Sequence, residues 1–173
     1  IFETYGMSET LSHIALKRLS PSKDDYFTIF DGVQISLDDR GCLAIYAPNI
    51  NSDFLQTNDL VHIINPKQFV FLGRVDNVIN SGGAKILPEQ LEKLAKEQID
   101  REIIYLGIKD DLLGQKLVAV IEGESNDDIE YKVMHLDYEK KYHKPKSVFF
   151  VNKIPRTPNG KVSRLDLLTL IES

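Results

Sequence analysis

The chain has 173 residues, 42% of them hydrophobic and 27% charged, enough to bury a core in one domain or two small ones. Twenty-one basic against 26 acidic residues leave a net charge of -5, which offers no basic footprint for a phosphate backbone and argues against nucleic-acid binding. A single cysteine, Cys42, excludes an internal disulfide and a multi-cysteine zinc site, and apolar runs such as Leu117 to Ile121 are far shorter than the roughly 20 residues of a membrane span, so a soluble cytoplasmic chain is expected.

The opening Ile1-Phe2-Glu3-Thr4-Tyr5-Gly6 reads as the end of a strand entering a glycine turn, without an initiating methionine, so a piece of a longer protein is expected. Short strand-like runs follow: Leu11 to Leu19, Tyr26 to Phe30, Val33 to Leu37, Cys42 to Tyr46, Leu60 to Ile64 and Phe69 to Leu72. They are separated by turn formers, among them Asp31-Gly32, Asp39-Arg40-Gly41 and Asn65-Pro66. Residues 1–75 are therefore expected to form a small antiparallel sheet or barrel.

Beyond Arg74 the texture changes. Pro88-Glu89-Gln90-Leu91-Glu92 places proline where a first helical turn needs no amide donor and acids where the helix dipole favours them, and Leu91, Leu94, Ala95 and Ile99 follow at helical spacing. Strands are expected over Glu102 to Ile108, Lys116 to Glu122 and Ser147 to Val151. Helices are expected over Asp128 to Lys140 and Ser163 to Ile171, the last with Leu165, Leu168 and Ile171 inward and Ser163 as its cap. This order predicts a compact α+β unit over residues 76–173, with a boundary near Asp76.

Five segments carry chemistry-bearing groups. Tyr5-Gly6-Met7-Ser8-Glu9 brings a ring, a hydroxyl and a carboxylate together, fit for a base, a phosphate and magnesium, though a turn followed by an ordinary capping glutamate has the same composition. Thr57-Asn58-Asp59 and Gly73-Arg74-Val75-Asp76 could set an acid and an arginine at one sheet edge, with Asp59 on ribose hydroxyls, or could be a surface ion pair. Asn80-Ser81-Gly82-Gly83 precedes the first helix and either admits a ligand close to the backbone or is a plain hairpin; it lacks the spacing of a Walker A loop. Pro155-Arg156-Thr157-Pro158-Asn159-Gly160-Lys161 is a stiff turn carrying one lysine, able to deliver a positive charge to a phosphate or simply solvated.

In this order the segments resemble the motifs of the adenylate-forming superfamily of acyl-coenzyme A synthetases, luciferases and peptide-synthetase adenylation domains. Tyr5 to Glu9 resembles its Tyr-Gly-x-Thr-Glu, Thr57 to Asp59 its Thr-Gly-Asp, Gly73 to Asp76 its Gly-Arg-x-Asp and Pro155 to Lys161 its carboxy-terminal lysine motif, with Ser8 for threonine and Asn58 for glycine. The resemblance implies that residues 1–75 end a large AMP-binding domain whose earlier part lies outside this sequence. It implies that residues 76–173 form a mobile carboxy-terminal domain. It also implies ATP, magnesium and coenzyme A as cofactors and a small carboxylic acid as substrate. Separately, an apolar sheet face left uncovered without that earlier part invites self-association, so a homodimer is one expectation. By the same resemblance Tyr5 stacks on adenine, Ser8 contacts the α-phosphate, Glu9 binds magnesium, and Asp59 and Arg74 hold the ribose. Asp76 is then the hinge, Ser81, Gly82 and Gly83 line a coenzyme A tunnel, and Lys161 is the catalytic lysine. The run from Gly73 to Gly83 is similar to o-succinylbenzoate-coenzyme A ligases of menaquinone synthesis. A fatty-acyl, aryl or short-chain acid ligase, or a non-catalytic nucleotide- or partner-binding module, remains open.

Overall fold

Alternating apolar strands and left-handed turns build the first part of the computed structural model, which describes residues 1–172 and divides into two units, Ile1–Asp76 and the residues from Asn77 onward. The first unit contains β1 (Phe2–Gly6), β2 (His13–Arg18), β3 (Phe27–Ile29), β4 (Gln34–Leu37), β5 (Cys42–Ala47), β6 (Asn51–Asn65) and β7 (Gln68–Arg74). All pair antiparallel in the order β1-β2-β3-β7-β6-β5-β4. The sheet is open. A barrel would need a ladder between β1 and β4, and each of these has a neighbour on one side only, so the barrel alternative does not hold. Its core is a cluster of buried side chains that includes Ile14, Phe27, Leu43, Ile45, Val61 and Phe69.

Turn chemistry sets the register of this sheet. In the connection from β4 to β5, Asp38 accepts the amides of Arg40 and Cys42, each at 2.9 Å, while Gly41 takes a φ of 77°. Strand β6 begins at Asn51 rather than at Leu60, and a register shift between Leu60 and Val61 interrupts its ladder with β7. That shift adjoins the pair Asp59 and Arg74, which lie directly opposite each other.

The second unit contains β8 (Ile79–Ser81), β9 (Ala84–Ile86), α1 (Pro88–Lys96), β10 (Ile103–Asp110), β11 (Gly114–Glu122), α2 (Asp127–Met134), β12 (Ser147–Val151) and α3 (Arg164–Glu172). Strand β11 pairs antiparallel with β10 and β8 and parallel with β12. Its run from Leu117 to Ile121 is buried throughout because it alternates between two cores. Leu117, Ala119 and Ile121 pack with Leu91, Ala95 and Val133; Val118 and Val120 pack with Ile154 and Leu167.

Helix α1 opens on Pro88 as expected. Helix α2 is capped by Asn126, which accepts the Ile129 amide at 3.0 Å, and stops at Met134 rather than Lys140. His135 leaves helical geometry there, and the Tyr138 hydroxyl donates to the Val133 carbonyl at 2.8 Å, satisfying an orphan acceptor. In α3 the inward stripe is Arg164, Leu167, Leu168 and Ile171, so Leu165 is 74% exposed instead of inward. The Ser163 hydroxyl donates to the Asp166 carboxylate at 2.6 Å instead of capping a backbone amide. Among the described residues no helix is long and apolar enough to cross a membrane.

Candidate functional site

In the first unit, four of the residues singled out by the sequence meet in one network. Asp59 is 7% exposed; one carboxylate oxygen accepts the Tyr5 hydroxyl and the other accepts Arg74 at 3.0 Å. Arg74 also donates to Asp76 at 2.8 Å. The cross-strand register of β6 and β7 brings Asp59 to Arg74, and β1 delivers Tyr5 across 54 residues of sequence. The Tyr5 ring packs edge-on against Phe69 at 5.1 Å and tilted against Phe27 at 5.6 Å, which fixes the position of its hydroxyl. Thr57 is buried, and its hydroxyl accepts the Asp59 amide at 3.0 Å.

The electrostatics follow from this geometry. Burial, and after it the hydrogen bond and charge of Asp59, raise the Tyr5 phenol far above its ordinary range, so it stays a neutral donor. Partial burial works against the Arg74 charge, but Asp76 and Asp59 outweigh it and raise the guanidinium further. An ionised carboxylate has about four acceptor directions, so Asp59 retains capacity for hydroxyls of a ligand after serving Tyr5 and Arg74.

Ser8 and Glu9 lie on a 3₁₀ turn after β1 and are exposed. Thr10, fully buried, anchors the turn: its hydroxyl accepts the Met7 amide at 3.0 Å and lies 2.6 Å from the Ser12 carbonyl. Gly6 is required there, since a Cβ would stand 2.6 Å from the Ser12 oxygen. Glu9 is a lone exposed carboxylate, and no group of three or more metal-ligating side chains occurs among the described residues.

The second unit holds the other candidates. Ser81, Gly82 and Gly83 belong to a hairpin between β8 and β9, with Gly82 and Gly83 at φ 56° and 82°. The Gly82 amide donates to the Leu113 carbonyl at 2.9 Å, and nothing lies within 4 Å of where a Gly83 Cβ would be, so the outer side of the turn is open backbone. Lys161 sits at the exit of a tight turn in which the Gly160 amide donates to Thr157 at 2.8 Å and the Thr157 amide to Lys161 at 2.7 Å. An isolated bridge between Arg156 and Val162 closes the turn, and the lysine is exposed.

The sequence missed two parts of these arrangements. Asn58 donates to both oxygens of Asp76, at 3.1 and 3.2 Å, and accepts Arg40 at 2.8 Å, so the Asp38 to Gly41 turn is tied to the Asp76 carboxylate. The Asp-Asp-Arg-Gly composition marks that turn but not its reach. Glu92 and Arg164 form a mostly buried pair with no local signal.

No protein-family model matches the chain. It is 27% identical to a 2-succinylbenzoate-CoA ligase of Bacillus cereus, over 99% of this chain and 42% of that protein. Among solved structures it is 33% identical to an acyl-CoA synthetase (AMP-forming)/AMP-acid ligase II-like protein from Dyadobacter fermentans, with a TM-score of 0.52 over 98% of this chain and 51% of that one. It is 22% identical to the o-succinylbenzoate CoA synthetase of Bacillus subtilis, solved with its acyl-adenylate intermediate, with a TM-score of 0.78 over 96% of this chain and 40% of that one. The chain spans about two fifths of the length of the curated relatives it matches. In sequence and in fold, it is similar along essentially its whole length to acyl-CoA synthetases of the AMP-forming kind.

Proposed function

We propose that the chain is the later part of an AMP-forming acid-coenzyme A ligase whose acid is o-succinylbenzoate, which would set it in menaquinone synthesis in the cytoplasm. Residues 1–75 end the AMP-binding domain, and residues 76–173 form the domain that rotates about Asp76. The observation that carries the reading is the network of Tyr5, Asp59 and Arg74, in a chain similar throughout to such ligases.

In the first step a carboxylate oxygen attacks the α-phosphorus of ATP and the bond to the β-phosphate breaks, releasing pyrophosphate. Tyr5 orients the adenine, Ser8 donates to the α-phosphate, and Asp59 with Arg74 holds the ribose hydroxyls. Glu9 would hold a magnesium ion, which would supply neutralisation of phosphate charge. Lys161 brings one positive charge to the oxygens of the reacting centre, where it acts only if the turn is correctly placed. In the second step the coenzyme A thiolate attacks the acyl carbon and AMP leaves. Rotation at Asp76 withdraws Lys161 and presents the open Gly82-Gly83 backbone to coenzyme A.

The test is thioester formation by the full-length protein with ATP, magnesium and coenzyme A on o-succinylbenzoate, benzoate and fatty acids. Preference for o-succinylbenzoate, with Lys161→Ala lowering adenylation about 10²- to 10³-fold, supports the reading. Preference for another acid replaces the substrate and keeps the mechanism; no activity on any acid favours a binding module. Residues 1–173 alone are expected to make no thioester.

A further inference from the structure

A charged pair in the second unit lies apart from the residues given roles above. Glu92 on α1 and Arg164 at the start of α3 are 72 residues apart in sequence and meet at 2.9 Å, with side chains 18% and 20% exposed. Both also bond the backbone of the same residue: Glu92 accepts the Tyr105 amide at 3.0 Å, and Arg164 donates to the Tyr105 carbonyl at 2.9 Å. Strand β10 is the edge of its sheet, so these two side chains satisfy a donor and an acceptor that the ladder leaves open. Burial pushes the Glu92 carboxyl above its ordinary range, opposed by the Arg164 charge and the Tyr105 amide. A second carboxylate, Glu89, stands 3.9 Å from the same guanidinium, has one buried oxygen with no partner, and accepts the Asn77 amide nitrogen on the other.

A buried ion pair is an expensive way to hold two helices to a strand, since packed apolar side chains usually serve as well. Its location relative to the lysine turn gives it a use. Arg164 follows Lys161 by three positions, and the intervening Ser163 amide donates to the Pro155 carbonyl at 2.9 Å. On the other side of the turn, Arg156 donates to the Gly160 carbonyl at 2.8 Å and pairs with Glu102, the residue before β10. An arginine therefore pins the lysine turn at each end, both landing on β10 or the residue leading into it. The inner anchor is the buried one, where water does not compete for the guanidinium.

We propose that Glu92 and Arg164 are positioning residues for Lys161: the pair fixes where α3 begins on β10, and so where the lysine ammonium stands during adenylation. The proposal rests on the reading of Lys161 given above. A pair that merely held the domain together would support both half-reactions equally. A pair that positions Lys161 matters for adenylation and little for thioester formation, from which Lys161 is withdrawn.

The test uses the full-length protein and separates the two steps: acid-dependent exchange of pyrophosphate into ATP, and thioester formation from supplied acyl-adenylate and coenzyme A. Arg164→Ala would leave two carboxylates without their cation and could unfold the unit, so Arg164→Lys and Glu92→Gln are used, with Lys161→Ala alongside. Expected is an exchange rate about tenfold to a hundredfold lower in both variants, with thioester formation from supplied adenylate within about threefold of the parent. Equal loss in the two steps overturns the proposal. Full exchange in both variants while Lys161→Ala abolishes it overturns the positioning role alone. Exchange indifferent to Lys161→Ala overturns the reading of Lys161 and the proposal with it.

Discussion

The two units use charge in opposite ways. In the first, Arg40, Asn58, Asp76 and Arg74 form a chain of contacts at the solvent-facing rim of an open sheet, and Asp59 and Tyr5 reach inward. In the second, the charged pair is inside, between α1, β10 and α3, whereas the groups with chemistry to offer, Lys161 and the Gly82-Gly83 backbone, stand on exposed turns. A rim network has free valences to offer a ligand but little to contribute to stability; a buried pair is fully engaged and can only hold something else in place.

Removing each arginine is the sharpest way to break this contrast. Arg164→Ala strands Glu92 and Glu89 and is expected to cost about 3 kcal/mol in denaturant unfolding. Arg74→Ala breaks a pair in which the arginine is 45% exposed but the carboxylate is buried, with the Tyr5 hydroxyl still donating to it, and is expected to cost about 1–2 kcal/mol. Comparable losses would mean that the two networks do the same job. The neighbouring leucines of α3 give the next largest difference: Leu167→Ala, fully buried, is expected to cost about 2–5 kcal/mol, and Leu165→Ala within about 0.5 kcal/mol of nothing.

Alkaline pH probes both regions at once. Burial raises the phenols of Tyr5 and Tyr105, and that of Tyr138 to about 12. In the unfolded chain these groups ionise near 10. Between about pH 10 and 12 the unfolded chain therefore holds fewer protons than the folded one, and stability falls as pH rises through that window while being unaffected below it. The loss is up to about 1.4 kcal/mol per pH unit for Tyr105 and less for the partly exposed Tyr138, whose charge water screens. Unfolding midpoints at pH 8 and 11 for the parent and for Tyr105→Phe measure it; the variant should flatten the dependence. A modest effect is expected at the hairpin of β8 and β9. Gly83→Ala places a Cβ in open space but at φ 82°, an expected cost of about 1 kcal/mol by thermal unfolding.

Local physics made much of the fold readable. Pro88 marks α1 because its missing amide is harmless only in a first turn, and Ser147–Val151 is the strand its uninterrupted apolar run announces. Strand β6 was read short because Asn51 to Asn58 is mostly polar and its pairing with β5 is a tertiary fact. The inward position of α3 taken by Arg164 displaced the leucine stripe, since a charged residue facing inward is legible only once its partner Glu92 is known. The candidate site divides likewise. Asp59 and Arg74 could be set at one edge from their positions at strand ends, and the cross-strand register joins them. Tyr5 was read as a ring for a base, but its hydroxyl bond to Asp59 across 54 residues, like the tie from Arg40 through Asn58 to Asp76, left no pattern in the sequence.

The most direct measurement of the central claim is the product balance of the full-length protein supplied with ATP, magnesium, coenzyme A and o-succinylbenzoate. The ligase reading predicts one AMP and one pyrophosphate for each thioester formed, with both lost together in Lys161→Ala. Thioester accompanied by ADP and phosphate, or AMP release indifferent to the acid, would contradict it.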